Sequence, residues 1–172
     1  MSNLNDFDFI AAARDIRLLL MDCDGVLTDG RLYFSSRGEE LKVFDVQDGQ
    51  GIVEWISAGY HIGIISGRSS AIVETRAKEL GIQIVKQGVK DKLETAREIW
   101  AETGFSRFET GFIGDDTPDI ALMEESGLGV AVANAVEEVK SAANHVAGRT
   151  GGRGAVREII GAIMSAKALQ DS

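Results

Sequence analysis

The sequence predicts an α/β fold, a parallel sheet with helices on both faces, and three observations carry that expectation. Short apolar runs alternate with amphipathic stretches along the chain, which is the pattern of repeated strand–helix units. Several of those runs stop abruptly in polar clusters, as in "LLLMDCDG", "IISGRSS" and "FIGDDTPD". No low-complexity tract, internal repeat or linker interrupts the 172 residues, so one domain spanning 1–172 is expected. At this length roughly 70% of the unfolded chain's surface can be buried.

In chain order, residues 5–13 read as a helix leading into a strand from Ile16 to Met21. After the acidic turn, Arg31–Ser35 and Glu40–Asp45 flank "SRG" and read as a β-hairpin, about residues 31–45. Asp48–Ala58 is helical in pattern, and His61–Ile65 is a short apolar strand. Ser69 or Ser70 then suits the cap of a helix over Ala71–Leu80. Gln83–Lys86 reads as a strand, Lys90–Thr103 as a helix and Phe108–Ile113 as a strand. Pro118 falls where a first helical turn tolerates proline. Leu128–Val132 is the last expected strand. A glycine- and arginine-rich tail, "GRTGGRG", follows from about residue 148 and leads to a helix over Ala155–Ala168.

Charge and composition exclude several roles. A net charge of −9 disfavours nucleic acid and anionic membrane as partners, because an acidic surface repels phosphate. The single cysteine, Cys23, cannot form an internal disulfide, and residues 1–8 are polar and acidic, so a cytoplasmic location is expected.

In parallel α/β sheets ligands bind at the carboxyl ends of the strands, where the polar clusters fall. Asp22 and Asp24, two apart in extended chain, point to one side while Cys23 points to the other, and Gly25 lets the chain turn sharply. Brought beside Asp115, these carboxylates would repel one another unless a cation lay among them. Oxygen donors with no His or Cys in the motifs favour Mg²⁺. Taken alone, "DCDG" is equally an acidic surface turn; an EF-hand fails, since Val26 would stand at its fifth position. Ser66 lacks the preceding glycine of a nucleophile elbow, Lys92 alone reads as a solvated helix-start lysine, and "GDDTPD" alone reads as a helix cap. "GLGVAV" leads into a strand, not from strand to helix, which excludes a dinucleotide fingerprint. His61 and His145 lie outside every motif and are expected to be structural.

Together, in this order, "DCDG", Ser66, Lys92 and "GDDTPD" resemble the four motifs of the haloacid dehalogenase superfamily of phosphohydrolases. "DGVLTDG", "GEELKVFDVQDGQGI", "IISGRSS" and "GGRGAVRE" extend the resemblance over nearly the whole chain, to the small capless subfamily that includes 3-deoxy-D-manno-octulosonate 8-phosphate phosphatase. The resemblance implies a Rossmann-like parallel sheet with a small β-hairpin in place of a cap domain, and a Mg²⁺-dependent phosphatase working through an aspartyl-phosphate. It makes Asp22 the nucleophile and Asp24 the general acid and base. Mg²⁺ would be held by Asp22, the Asp24 backbone carbonyl and Asp115. Ser66, Gly67, Arg68 and Lys92 would cradle the phosphoryl group and substrate, with Asp116 and Asp119 supporting from behind.

Pro118 departs from the asparagine common in the fourth motif. The resemblance also implies a homotetramer whose hairpins pack together, in which the tail, through Arg153, reaches the sugar acid. The alternatives are a phosphatase for a nine-carbon sugar acid, a noncatalytic regulatory domain, and a protein phosphatase with an open site.

Overall fold

The computed structural model describes residues 8–169, so parts of the expected first helix (5–7) and of the tail (170–172) lie outside it. Helix α1 runs from Phe9 to Asp15 and starts at Asp8, whose carboxylate accepts the Ala11 N–H. Six parallel strands follow in the order β5-β4-β1-β6-β7-β8: β1 Leu18–Met21, β4 His61–Ile65, β5 Ile84–Lys86, β6 Thr110–Gly114, β7 Leu128–Ala131 and β8 His145–Val146. Strand β1 is central, with Met21 in register with Ile64 on one side and Ile113 on the other. All four of its residues are buried, and each large apolar side chain contributes about 1.5–3 kcal/mol by leaving water.

From β1 the chain crosses outward through α2 (Val46–Ser57) to β4 and through α3 (Ala71–Leu80) to β5. It then reverses through α4 (Lys92–Thr103) to β6, and continues through α5 (Ile120–Glu125) and α6 (Glu137–Ala142) to β7 and β8. Right-handed crossovers in opposite directions place α2 and α3 on one face and α4, α5 and α6 on the other. The terminal helix α7 (Ala155–Ala168) packs its buried Val156, Ile159, Ile160 and Ile163 on the first face, against α1 and α2. The direction of winding changes between β1 and β6, so the crevice of the sheet opens at the ends of those two strands.

The hairpin consists of β2 (Tyr33–Ser35) and β3 (Gly38–Leu41), shorter than the sequence suggests and with an irregular register between Tyr33 and Phe34. Both expected arms lose their outer residues because the pair stands apart from the main sheet, where two strands form few ladder bonds. The expected strand at 108–113 begins two residues later, after a 3₁₀ turn over Arg107–Glu109 closed by Ser106 and Glu109. Helix α6 and strand β8 have no counterpart in the sequence reading, being too short to show a period. Asn144 pins this edge by accepting the Gly129 N–H at 2.7 Å. His145 packs on Phe9 and His61 on Phe105.

Candidate active site

The cleft at the winding reversal encloses about 410 Å³. Asp22 follows β1 directly, and its N–H donates to the Ile113 carbonyl, which continues the ladder to the catalytic end. The chain then wraps around the Cys23 carbonyl, which accepts from Val26, Leu27 and Thr28, while Thr28 Oγ1 accepts the N–H groups of Gly25 and Gly30. Gly25 is obligatory in this turn. Its φ is +92°, and a Cβ there would lie 1.9 Å from Asp115 Oδ2. The sharp turn anticipated around the carboxylates is thus made by bringing bare backbone against the Asp115 carboxylate.

Asp22, Asp115 and Asp119 each offer a carboxylate oxygen within 4.8 Å of the others. Lys92, at the first position of α4, offsets this charge: Nζ lies 2.9 Å from Asp22 Oδ2 and 2.5 Å from Asp119 Oδ1. Burial alone would depress the lysine's pKa, but Asp22 and Asp119 outweigh it and hold the ammonium above its usual value. Burial pushes the Asp22 pKa up, against the pull of Lys92. Asp115 is pushed up to about 8 by burial and then by Asp22 and Asp119. Its Oδ1 is buried without a hydrogen-bond partner.

An orphaned carboxylate oxygen among half-buried and buried carboxylates matches the needs of a hard divalent cation. Asp119 differs from the other two. It is fully buried, its Oδ1 is taken by Lys92, and its Oδ2 accepts the N–H groups of Asp115 and Asp116. It therefore braces the fourth-motif loop from behind. Asp116 lines the cleft and caps the turn over Thr117–Asp119, in which Pro118 sits, by accepting the Thr117 N–H.

Ser66 follows β4; its N–H donates to the Lys86 carbonyl and its carbonyl accepts from Val89, so strand β5 and its outgoing turn position it. Gly67 and Arg68 complete this wall, the Arg68 N–H reaching Ser66 Oγ at 3.3 Å. The Asp24 carboxylate points away from the three-carboxylate cluster to two cations: Lys42 Nζ at 2.5 Å from Oδ1 and Arg68 Nε at 3.5 Å from Oδ2.

Lys42 escaped sequence reasoning altogether. It follows β3 between Leu41 and Val43, both exposed, so alternation turns it inward, where it also meets Glu39 Oε1 at 3.0 Å. A lone lysine flanked by outward apolar residues was the available signal. Burial alone would lower its pKa; hydrogen bonds to Asp24 and Glu39 outweigh that and raise it.

Nine of the ten expected site residues thus gather at the cleft. Arg153 is the exception: it is exposed and lines a separate hollow with Asp29, Val43, Phe44 and Asp45. Two glycines of its segment pack against the turn after β1. A Cβ on Gly151 would fall 1.7 Å from the Gly25 carbonyl oxygen, and Gly152 donates its N–H to the Val26 carbonyl at 3.0 Å. The segment is held in turn by Asn134, which accepts the Gly151 N–H, and by buried Asp48 of α2, which accepts the N–H groups of Gly154 and Arg157. Burial raises the Asp48 pKa in spite of these bonds. The tail therefore braces the turn that carries Asp22 and Asp24.

A family model described as haloacid dehalogenase-like hydrolase matches residues 75–160. The 3-deoxy-D-manno-octulosonate 8-phosphate phosphatase KdsC of Yersinia pestis is 42% identical over 160 residues, 93% of this chain and 86% of that one. The chain belongs to the KdsC family of haloacid dehalogenase-like hydrolases. KdsC of Escherichia coli K12 is 40% identical over 164 residues, covering 95% of this chain and 87% of its own. A crystal structure of 3-deoxy-D-manno-octulosonate 8-phosphate phosphatase from Moraxella catarrhalis, in complex with magnesium ion, phosphate ion and KDO, superposes with a TM-score of 0.92. It is 39% identical, and the match covers 97% of this chain and 96% of that one. The parallel six-stranded sheet with a separate hairpin is the KdsC architecture.

Proposed function

We propose that this KdsC-family chain is a Mg²⁺-dependent phosphatase, folded as a single domain, that hydrolyses 3-deoxy-D-manno-octulosonate 8-phosphate to the free sugar acid and phosphate in lipopolysaccharide precursor synthesis. The observation that carries the reading is the Asp22 carboxylate, held by Lys92 at 2.9 Å at the floor of a cleft walled by Ser66 and Arg68 and backed by Asp115. The KdsC relatives supply the substrate.

Asp22 attacks phosphorus, the bond from phosphorus to the sugar oxygen breaks, and Asp24 gives that oxygen its proton. Asp24 then takes a proton from the water that attacks the aspartyl-phosphate, which frees phosphate and restores both carboxyls. Lys92, Ser66 and the Gly67–Arg68 turn hold the phosphoryl oxygens, and Lys92 offsets the charge that would otherwise repel the attacking carboxylate. Asp22, Asp115 and the Asp24 carbonyl would hold Mg²⁺, while Asp119 and Asp116 keep that loop in place. When bound, Mg²⁺ supplies the positive charge that lets these buried carboxylates ionise and that stabilises charge on the phosphoryl group.

The hairpin exposes Leu32, Phe34 and Leu41, with Val43 beside them, and this apolar face supports a homotetramer in which hairpins pack together and Arg153 serves a neighbouring subunit's site. One free, buried cysteine is in keeping with the cytoplasm. Among the described residues no helix is long and apolar enough to cross a membrane.

Asp22→Asn tests the core of this reading: phosphate release from the sugar-acid phosphate falls to background while the thermal transition is kept, because an amide cannot become the acyl phosphate. Chelation stops the wild-type enzyme and Mg²⁺ restores it. Turnover near wild type in the variant, or in excess chelator, would overturn the mechanism.

A further inference from the structure

The hairpin sends one side chain to the centre of the site. Lys42 leaves β3 with its side chain only 2% exposed, and its ammonium lies 2.5 Å from Asp24 Oδ1 and 3.0 Å from Glu39 Oε1. Burying an ammonium is costly, and a buried ion pair is poor value for stability alone. At that depth Lys42 is not among the residues that line the cleft. The second oxygen of Asp24 faces Arg68 at 3.5 Å, too far for a good hydrogen bond, and Arg68 itself lies over the Phe34 ring of the hairpin at 5.6 Å. Both cations around Asp24 are therefore tied to the hairpin.

Resting on the assignment of Asp24 as general acid and base, we infer that Lys42 is a positioning residue for that step: it fixes the Asp24 carboxylate and makes its aim depend on how the hairpin is seated. The torsion that ends an aspartate side chain is broad, so an unrestrained carboxylate in an open cleft would swing. Lys42 has only donors to offer, so a proton carried by Asp24 resides on Oδ2, the oxygen Lys42 does not hold. The restraint thus selects the oxygen that meets the leaving group.

The test uses Lys42→Met, which keeps the aliphatic stem, with Lys42→Gln as a second variant in case burial of the first perturbs folding. Each is assayed with aryl phosphates graded from dinitrophenyl, whose phenolate leaves without help, to phenyl, which needs a proton. Asp24→Asn is run alongside. The ratio of kcat/KM between two esters on one preparation is independent of the fraction folded.

The expected result is a steeper dependence on leaving group, the variants losing about 10- to 100-fold more on phenyl than on dinitrophenyl phosphate. A uniform loss across the series, or no loss, in the Lys42 variants while Asp24→Asn is steep overturns the positioning role alone. A flat series for Asp24→Asn overturns the acid–base assignment and the Lys42 role with it.

Discussion

Asp115 shows how a single carboxyl can report on the metal. Its pKa in the folded protein is pushed from near 3.8 to about 8, first by burial. Between those values the folded metal-free protein keeps a proton that the unfolded chain has lost, so its stability falls as pH rises through that window. Mg²⁺ reverses the trend because it binds the ionised carboxylates. The rise in Tm on adding Mg²⁺ to chelator-treated protein is therefore larger at pH 8 than at pH 5, and Asp115→Asn flattens the metal-free slope. An equal rise at both pH values would contradict this account. The same residue shows what is legible in sequence and what is not. Asp22, Asp24 and Asp115 stand out because each ends a buried strand, where a charge needs a reason. Lys42 and Asp48 do not, because a lone Lys in a hairpin and a lone Asp in a helix look solvated until the fold brings Asp24 from 18 residues away and Gly154 from 106 away.

Among the elements, the glycine-rich segment before α7 makes the closest backbone contacts. Its glycines let two backbones touch: Gly151 abuts Gly25, and Gly152 bonds to Val26. Composition announces close approach but not to what. Gly151→Ala places a methyl group against a carbonyl that has no side chain to yield, at a cost of about 1–3 kcal/mol, and phosphatase activity falls with it because the turn bearing Asp22 and Asp24 must shift. Gly161→Ala, in the exposed part of α7 with open space around it, is the matched control and gains about 0.5–1 kcal/mol of helix stability. Thermal unfolding and turnover of both variants check the pair; a neutral Gly151→Ala would show that the contact is compliant. The parallel sheet with helices on both faces follows from alternation and from the positions of the polar clusters, whereas the strand order does not. The edge formed by α6 and β8 escapes because six- and two-residue elements carry no readable period.

For the molecule as a whole, the outward side of the hairpin is the surface proposed to drive assembly. Leu41 and Val43, 51% and 53% exposed, flank the inward-turned Lys42 and so point outward from a two-stranded unit that cannot bury them itself. Leu41→Glu is expected to lower the mass measured by light scattering and to reduce efficiency on the sugar-acid phosphate; an unchanged mass would argue against hairpin-mediated assembly. Arg68, Lys90 and Lys92 give the acidic molecule, at −9, its local positive wall along the cleft. A gradient in resistance to opening runs across this one cleft. The Asp22 amide is locked into the ladder of the central strand, so its hydrogen exchanges with solvent only when much of the sheet comes apart. The backbone around Lys42 belongs to a two-stranded flap whose ladder ends at Leu41, where exchange is far easier. Brief lifting of that flap would release the Asp24 carboxylate while leaving Asp22 in place, so in the proposed assembly any change that loosens the hairpin's subunit contacts would also loosen Asp24.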